Sequence, residues 1–301
     1  MNWIKLGQVF KMKELHPLLK SHAANPLAVH LNNDTYRVFF SSRDNNSKSS
    51  VGFADIDIIK LKVLNICAAP IVKYGEEESF CSHGISIGNL YEQDDKRFIL
   101  FMGWNIRNNE HWRGDIGRLE LLSDNKTLNL NPTKAFIGID IEDPISLSYP
   151  FVLFHEGVYK MWYGSTISWT SENGEMIHAI KYAVSSDGIN WKRKGIAIPY
   201  EIGQAQAFSR PMVLIDKNGY KMWYSYRSGD RTKYRIGYAT SVDGIVWERK
   251  HDEVGIDVSD SGWDSEMICY PFVFKHKKQV YMFYNGNDYG REGFGMARLK
   301  Q

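Results

Sequence analysis

Three arginines, one histidine, two tyrosines, three asparagines and one threonine occupy ten equivalent positions along this 301-residue chain. Five positions, Asn25, His83, Tyr149, Arg210 and Tyr270, stand just before a strand-like run. The other five, Arg43, Asn105, Thr166, Arg227 and Asn287, close the run that follows. Guanidinium groups bind carboxylate and phosphate through paired N–H donors. Three of them on one axis would repel one another unless an anionic ligand or carboxylates answered them. Arg43, Arg210 and Arg227 are therefore candidates for binding an anion. Trp104 offers an apolar platform, and Asp288 and Lys181 are further binding candidates; four other repeats carry glycine where Lys181 stands. The carboxylates close to these positions are Asp44, Asp143, Asp264 and Glu266. Each candidate also has a purely architectural reading. Asn25 suits a turn before Pro26, and Tyr149 and Tyr270 could be packing aromatics with a wet hydroxyl.

Repeats must hold these groups in place. The clearest copies are Pro150, Met161-Trp162-Tyr163 and Ile180-Lys181-Tyr182-Ala183; Pro211, Met222-Trp223-Tyr224 and Ile236-Gly237-Tyr238-Ala239; and Pro271, Met282-Phe283-Tyr284 and Phe294-Gly295-Met296-Ala297. Two weaker copies come earlier, around Pro26, Val38-Phe39-Phe40 and Val51-Gly52-Phe53-Ala54, and around Gly84, Leu100-Phe101-Met102 and Ile116-Gly117-Arg118-Leu119. Aromatic and β-branched runs separated by turn residues read as hairpins. In two copies the third strand runs into Ser185-Ser186-Asp187-Gly188-Ile189-Asn190-Trp191 and Ser241-Val242-Asp243-Gly244-Ile245-Val246-Trp247, turns whose Ser, Asp and Gly satisfy the local backbone. Four-stranded units repeated radially make a propeller. Trp3-Ile4-Lys5 matches Trp191-Lys192-Arg193 and Trp247-Glu248-Arg249, so residues 2–10 are expected to supply the outer strand of the last unit. The expected fold is an all-β, five-bladed β-propeller of four-stranded antiparallel blades, a single domain over 1–301. Antiparallel hairpins bring the start of each first strand and the end of each second strand to one face, and that face collects the ten positions.

Bulk properties exclude several classes. A net charge of +2 without a basic tail gives no footprint for nucleic acid. No stretch reads as a signal peptide or bilayer span. Cys67, Cys81 and Cys269 lack metal-ligand spacing and read as reduced thiols in a cytoplasmic protein. No metal or cofactor is expected, and no nucleic-acid or membrane partner.

With five proline-led units, aromatic second strands and SxDGxxW turns, the chain resembles the five-bladed propeller glycosidases. These include arabinanases, xylosidases, invertase-like enzymes and the related β-mannoside phosphorylases. The run Gly262-Trp263-Asp264-Ser265-Glu266-Met267, with Tyr270-Pro271 and Tyr281 to Asn287, is similar to a subset associated with bacterial surface-polysaccharide genes. The resemblance implies a site in the central funnel and action on a glycosidic bond. In that group the first blade supplies an aspartate base; Asn25 stands there in this chain, and an amide cannot accept a proton as that base does. By the two-carboxyl logic of glycoside hydrolysis, Glu266 is the candidate acid and Asp44 or Asp264 the base or nucleophile. The arginines would hold an anionic sugar or glycan. A phosphorylase would use them for the attacking phosphate, and a binding protein for a sugar acid or nucleotide sugar.

Overall fold

The computed structural model describes residues 1–107, 110–130, 134–230 and 232–300. The chain is all-β. It opens with β1 (Trp3–Lys11) and continues through β2 (Ser21–Asn32), β3 (Thr35–Arg43), β4 (Ser49–Asp57) and β5 (Lys62–Ile66). Next come β6 (Gly84–Gln93), β7 (Lys96–Ile106), β8 (Trp112–Leu121) and β9 (Leu128–Leu130), then β10 (Leu147–His155), β11 (Val158–Ser168), β12 (Ile177–Ser185) and β13 (Lys192–Ile196). Strands β14 (Ala207–Asp216), β15 (Gly219–Arg227), β16 (Arg235–Ser241) and β17 (Glu248–Arg249) precede β18 (Cys269–His276), β19 (Gln279–Asn285) and β20 (Gly293–Leu299). Among the described residues no helix is long and apolar enough to cross a membrane.

Pairing is antiparallel within each group of four. β2 to β5 and β6 to β9 form two such groups, linked by one parallel pair, Ser49 with Gly84. β10 to β13 and β14 to β17 form two more, linked at His178 and Ala207. The last sheet runs β1-β20-β19-β18, so the N-terminal strand is its outer member, with Trp3 opposite Leu299. First strands touch in a cycle: β2 meets β6, β6 meets β10, β10 meets β14, β14 meets β18, and β18 meets β2.

Both faces of each group are covered by neighbours, which explains why the middle strands read as continuous apolar runs instead of alternating ones. Every residue of β4 is buried, as are Met222, Trp223 and Tyr224 in succession on β15. Aromatic contacts cross the group boundaries. Trp162 lies 5.9 Å from Trp247, Trp3 lies 6.2 Å from Trp223, and Phe10 lies 5.2 Å from Phe40. The Trp162 indole also donates to the Gly244 carbonyl of the next group's turn at 2.9 Å. Stacked groups thus bury what none could bury alone. All three cysteines are buried and unpaired.

Candidate funnel site

Each first strand breaks its pairing near the same level. The irregularities fall between Ala24 and Leu27, Ile87 and Leu90, Ser148 and Phe151, Ser209 and Met212, and Cys269 and Phe272. In four of them the inserted pair ends in proline, which donates no N–H to the ladder and is tolerated at bulges. The residue before it takes a left-handed conformation: φ is 58° at Asn25, 35° at Tyr149, 52° at Arg210 and 54° at Tyr270. In the second group the inserted pair is Gly88-Asn89, and the Asn89 carboxamide bonds the Val152 N–H and C=O at 2.9 Å each. Gly88, and not His83, therefore holds the place matching Asn25.

Asn25, Tyr149 and Tyr270 line a cavity of about 350 Å³ with Ser41, Ser86, Ser148 and Ser209. Around its mouth stand Arg43, Trp104, Trp112, Arg227, Tyr234 and Tyr289, with Met176 and His178 beside them. Register separates the two levels. Ser41 pairs with Ala24 and Arg43 with Ser21 on β2, while Ser225 pairs with Ser209 and Arg227 with Ala207 on β14. Each arginine thus stands two residues nearer the strand end than its serine, about 7 Å of strand rise. Serine hydroxyls, the Tyr149 and Tyr270 phenols and the Asn25 amide form the floor, and guanidinium and indole groups with the Tyr234 and Tyr289 phenols stand around the mouth.

Electrostatics at the mouth favour an anion. Burial raises the Tyr289 phenol above its ordinary value, while Arg227 and Arg43 both pull it down, so both cations act on that one ring. Arg227 has Glu175 at 3.9 Å, and its Nε is buried with no hydrogen-bond partner among the described residues. On the floor, Asn25 is 2% exposed and its Oδ1 also lacks a partner, although its backbone N–H donates to Asn285 Oδ1 at 2.9 Å. His178 is buried between Ser148 Oγ at 2.6 Å and Thr166 Oγ1 at 2.9 Å. Burial lowers its imidazole to about 4, so the ring is neutral at pH 7. No aspartate or glutamate belongs to the lining among the described residues, and no group of three or more His, Cys, Asp or Glu is placed to hold a metal there.

Arg210 lies outside this lining. Its guanidinium is buried and donates to the carbonyls of Pro26 at 2.7 Å, Tyr270 at 3.3 Å and Gly88 at 3.4 Å. One side chain thereby ties four groups together at the level of the bulges. Burial depresses it to about 9, which leaves it charged at neutral pH.

The carboxylates named from the sequence are engaged elsewhere. Glu266 is exposed, ion-paired with Lys233, and does not line the cavity. Asp44 caps its own turn, accepting from the Asn46 and Lys48 N–H groups at 2.8 and 2.9 Å. Asp264 is buried against Lys5 of β1 at 2.8 Å and the Tyr284 hydroxyl at 3.0 Å. Asp143 is wholly buried and takes Lys181 and Arg193, each at 2.6 Å, with Tyr163 and Ser165 at 2.8 and 2.5 Å. Lys181 is therefore an inner ion-pair partner. His83 lies 5.8 Å from the Trp104 ring but not on the lining. Asn105 is buried, with its amide 3.4 Å from the Ser79 carbonyl. Asn287 accepts from the Glu266 and Met267 N–H groups, and Asp288 is exposed at 4.0 Å from Arg291. Tyr289 enters the site in place of Asp288. Trp112, Met176, His178 and Tyr234 were not anticipated either. All four sit where third strands begin, and in an antiparallel unit that end shares the face where second strands end; extending the face argument by one strand would have found them.

No protein-family model matches the chain. It is 38% identical over 302 residues, the full length of both chains, to the uncharacterized protein Rv1502 of Mycobacterium tuberculosis (strain ATCC 25618 / H37Rv). The chain belongs to the family of Rv1502. A more distant relative is the 1,2-beta-oligomannan phosphorylase of Thermoanaerobacter sp. (strain X514), 28% identical over 130 residues, 42% of this chain and 44% of the enzyme. Among solved structures, a glycoside hydrolase superposes with a TM-score of 0.77 at 15% identity, covering 99% of this chain and 91% of the other. A structure from the GH130 family of mannoside phosphorylases, which contains glycoside hydrolases that target β-1,2 mannosidic linkages in Candida mannan, gives 0.71 at 12% identity, covering 99% and 94%. The resemblance to propeller glycosidases read from the repeats holds at the level of fold.

Proposed function

We propose that the protein is a carbohydrate-active enzyme, one five-bladed propeller domain over residues 1–301, that transfers a glycosyl unit of an anionic saccharide to phosphate. One observation carries this reading: the described lining of the funnel holds guanidinium groups and no carboxylate. Hydrolysis by two carboxyls needs a facing pair about 5–10 Å apart, and Glu266, Asp44 and Asp264 are committed to other partners. Phosphorolysis removes the need for a protein base. A phosphate oxygen forms the new bond to the anomeric carbon, the glycosidic C–O bond breaks, and the leaving oxygen takes the proton that monobasic phosphate carries. Arg43 and Arg227 would hold that phosphate, and Trp104 with Tyr270 would face the sugar. The partial match to a phosphorylase supports this choice.

A second reading is recognition without turnover, as a sugar-acid or nucleotide-sugar binding protein in surface-polysaccharide assembly. The absence of a carboxylic acid from the described lining favours it, because a poor leaving group then has no protein donor. Three buried, unpaired cysteines support a reducing, cytoplasmic setting for either reading. The test is incubation with manno-oligosaccharides and acidic oligosaccharides, with and without phosphate. Phosphate-dependent formation of a glycosyl phosphate is expected. Release of reducing sugar at equal rates without phosphate would overturn the transfer reading. Ligand-dependent melting shifts without any product would select the second.

A further inference from the structure

Breaking a glycosidic bond requires a proton for the departing oxygen, and the described lining offers no carboxylic acid to give it. Its other proton carriers are unequal. His178 is neutral at pH 7 and held on its two ring nitrogens by Ser148 and Thr166. Serine hydroxyls are far weaker acids than a phenol, whose ordinary value is about 10. Phenols of Tyr149, Tyr234, Tyr270 and Tyr289 all reach the lining. On the floor, the Tyr149 and Tyr270 rings lie 5.5 Å apart. Both residues are in the left-handed region, at φ 35° and 54°, which bulky side chains rarely adopt. Strain of this kind collects where a side chain is needed in a cleft. The charged Arg210 guanidinium stands at the same level and donates to the Tyr270 carbonyl at 3.3 Å. Tyr149, Tyr270 and Cys269 support its charge against burial, and no carboxylate is among them. A phenolate formed in this pair would face a fixed positive charge. The two phenols are not equivalent. Burial raises Tyr270 well above the ordinary phenol value, and Tyr149 raises it further through its charge and a hydrogen bond. Tyr270 is buried, whereas Tyr149 is half-buried and more open to the cavity.

We infer, resting on the transfer reading above, that the Tyr149 hydroxyl is the general acid of this site, and that Tyr270 and Arg210 position it and hold the phenolate it leaves. As the glycosidic C–O bond breaks and the phosphate oxygen bonds to the anomeric carbon, the Tyr149 proton moves to the departing oxygen. The phenolate then takes up one proton and the new phosphate ester releases one, so the balance given above is unchanged. The buried cation offsets the weakness of a phenol as an acid at neutral pH.

The experiment compares two donors with the full chain in phosphate. One is an oligosaccharide that the protein converts, from the manno- and acidic oligosaccharides above. The other is the 2,4-dinitrophenyl glycoside of the same terminal sugar and anomer. Dinitrophenolate departs without a proton, so an acid matters only for the first donor. Tyr149→Phe removes one hydroxyl and keeps the ring. It is expected to slow the oligosaccharide by about 100-fold or more and the dinitrophenyl glycoside by less than about fivefold. Calorimetric affinity for the oligosaccharide should stay within about threefold. Tyr270→Phe should show the same contrast to a smaller degree, which a purely structural role would not produce. Equal losses on both donors in Tyr149→Phe, or no loss on either, would overturn the assignment. So would a larger contrast in Tyr270→Phe than in Tyr149→Phe, or a wild-type protein that converts only dinitrophenyl glycosides and thus has no working acid. The expected contrast with turnover that needs no phosphate would sink the transfer reading and keep Tyr149 as the acid. If the wild-type protein converts neither kind of donor, both fail.

Discussion

Replacing Asp143 with asparagine isolates a buried charge from the site beside it. The carboxylate is wholly buried and faces two cations, Lys181 and Arg193, each at 2.6 Å. Asparagine keeps the volume and one acceptor, which Tyr163 or Ser165 can still use, but removes the countercharge. Breaking a buried ion pair by neutralising one partner costs about 3–5 kcal/mol, because the other charge stays buried. For a chain of this length that corresponds to a fall in Tm of about 5–8 °C. The pH dependence gives a second reading of the same quantity. Burial opposes ionisation of Asp143, but hydrogen bonds from Lys181, Ser165 and Tyr163 outweigh it and hold the carboxyl below its ordinary value. A depressed folded-state value means that this stability is fully present above the unfolded value near 3.9 and is lost as pH falls through the folded one. Scanning calorimetry of both proteins should therefore show a constant gap from pH 7 to about pH 5, narrowing as the pH is lowered below about 4. The lining does not include Asp143, so saccharide and phosphate titrations should be unchanged. A gap under about 1 °C at pH 7, or one that stays constant down to the lowest pH at which both proteins fold, would refute the charge argument. Loss of ligand binding without loss of stability would return Asp143 to the site.

Glu266→Gln should shift Tm by less than about 1 °C and leave ligand titrations intact, since its pairing with Lys233 is exposed; loss of turnover with binding retained would reinstate it as the acid. Arg210→Met leaves three carbonyls without their donor, each worth about 1–3 kcal/mol when buried. Thermal melting should fall by several degrees, and an unchanged or higher Tm would mean that the buried charge costs more than its bonds return. Gly164→Ala would drive a methyl group into Ser148 Oγ and His178 Nε2, so the variant should melt lower and perturb the His178 ring resonances; an undisturbed imidazole spectrum would count against that close packing. Anion binding should weaken as ionic strength rises from about 50 to about 500 mM, because the arginine side chains at the mouth are partly exposed; salt-independent affinity would point to a ligand that does not use them.

The repeat is legible in the sequence because its physics is local. Proline before an aromatic run marks four of the five bulges, and the level of Asn25, Tyr149, Arg210 and Tyr270 follows from that spacing. The second group carries Asn89 where the others carry proline, and Asn89 satisfies the neighbouring strand through its side chain instead of lacking an N–H. Without that marker, spacing alone points to His83, five residues too early. The charged residues are harder for a different reason. Asp264 answers Lys5 across 259 residues, and Arg210 reaches carbonyls as far as 184 residues away. Nothing near Asp264 or Arg210 in the sequence distinguishes a carboxylate or guanidinium that serves the assembly from one that serves a ligand. Arg43 and Arg227 could be placed at the mouth because strand ends, unlike loop residues, inherit their position from the ladder.

The pairing of Trp3 with Leu299 leaves β1 without its partner until β20, the last of the described strands in chain order, has been made. Until β20 is synthesised, β1 has no ladder to join, and β18 and β19 lack their outer cover. Nearly the whole chain must be in place before this contact forms, which makes closure a slow, late step by the usual relation between rate and sequence separation. A nascent protein would spend that interval with β1 unpaired, open to capture by another chain. Two copies exchanging their β1 strands would satisfy the same register, so a domain-swapped dimer is the natural misassembly of this architecture.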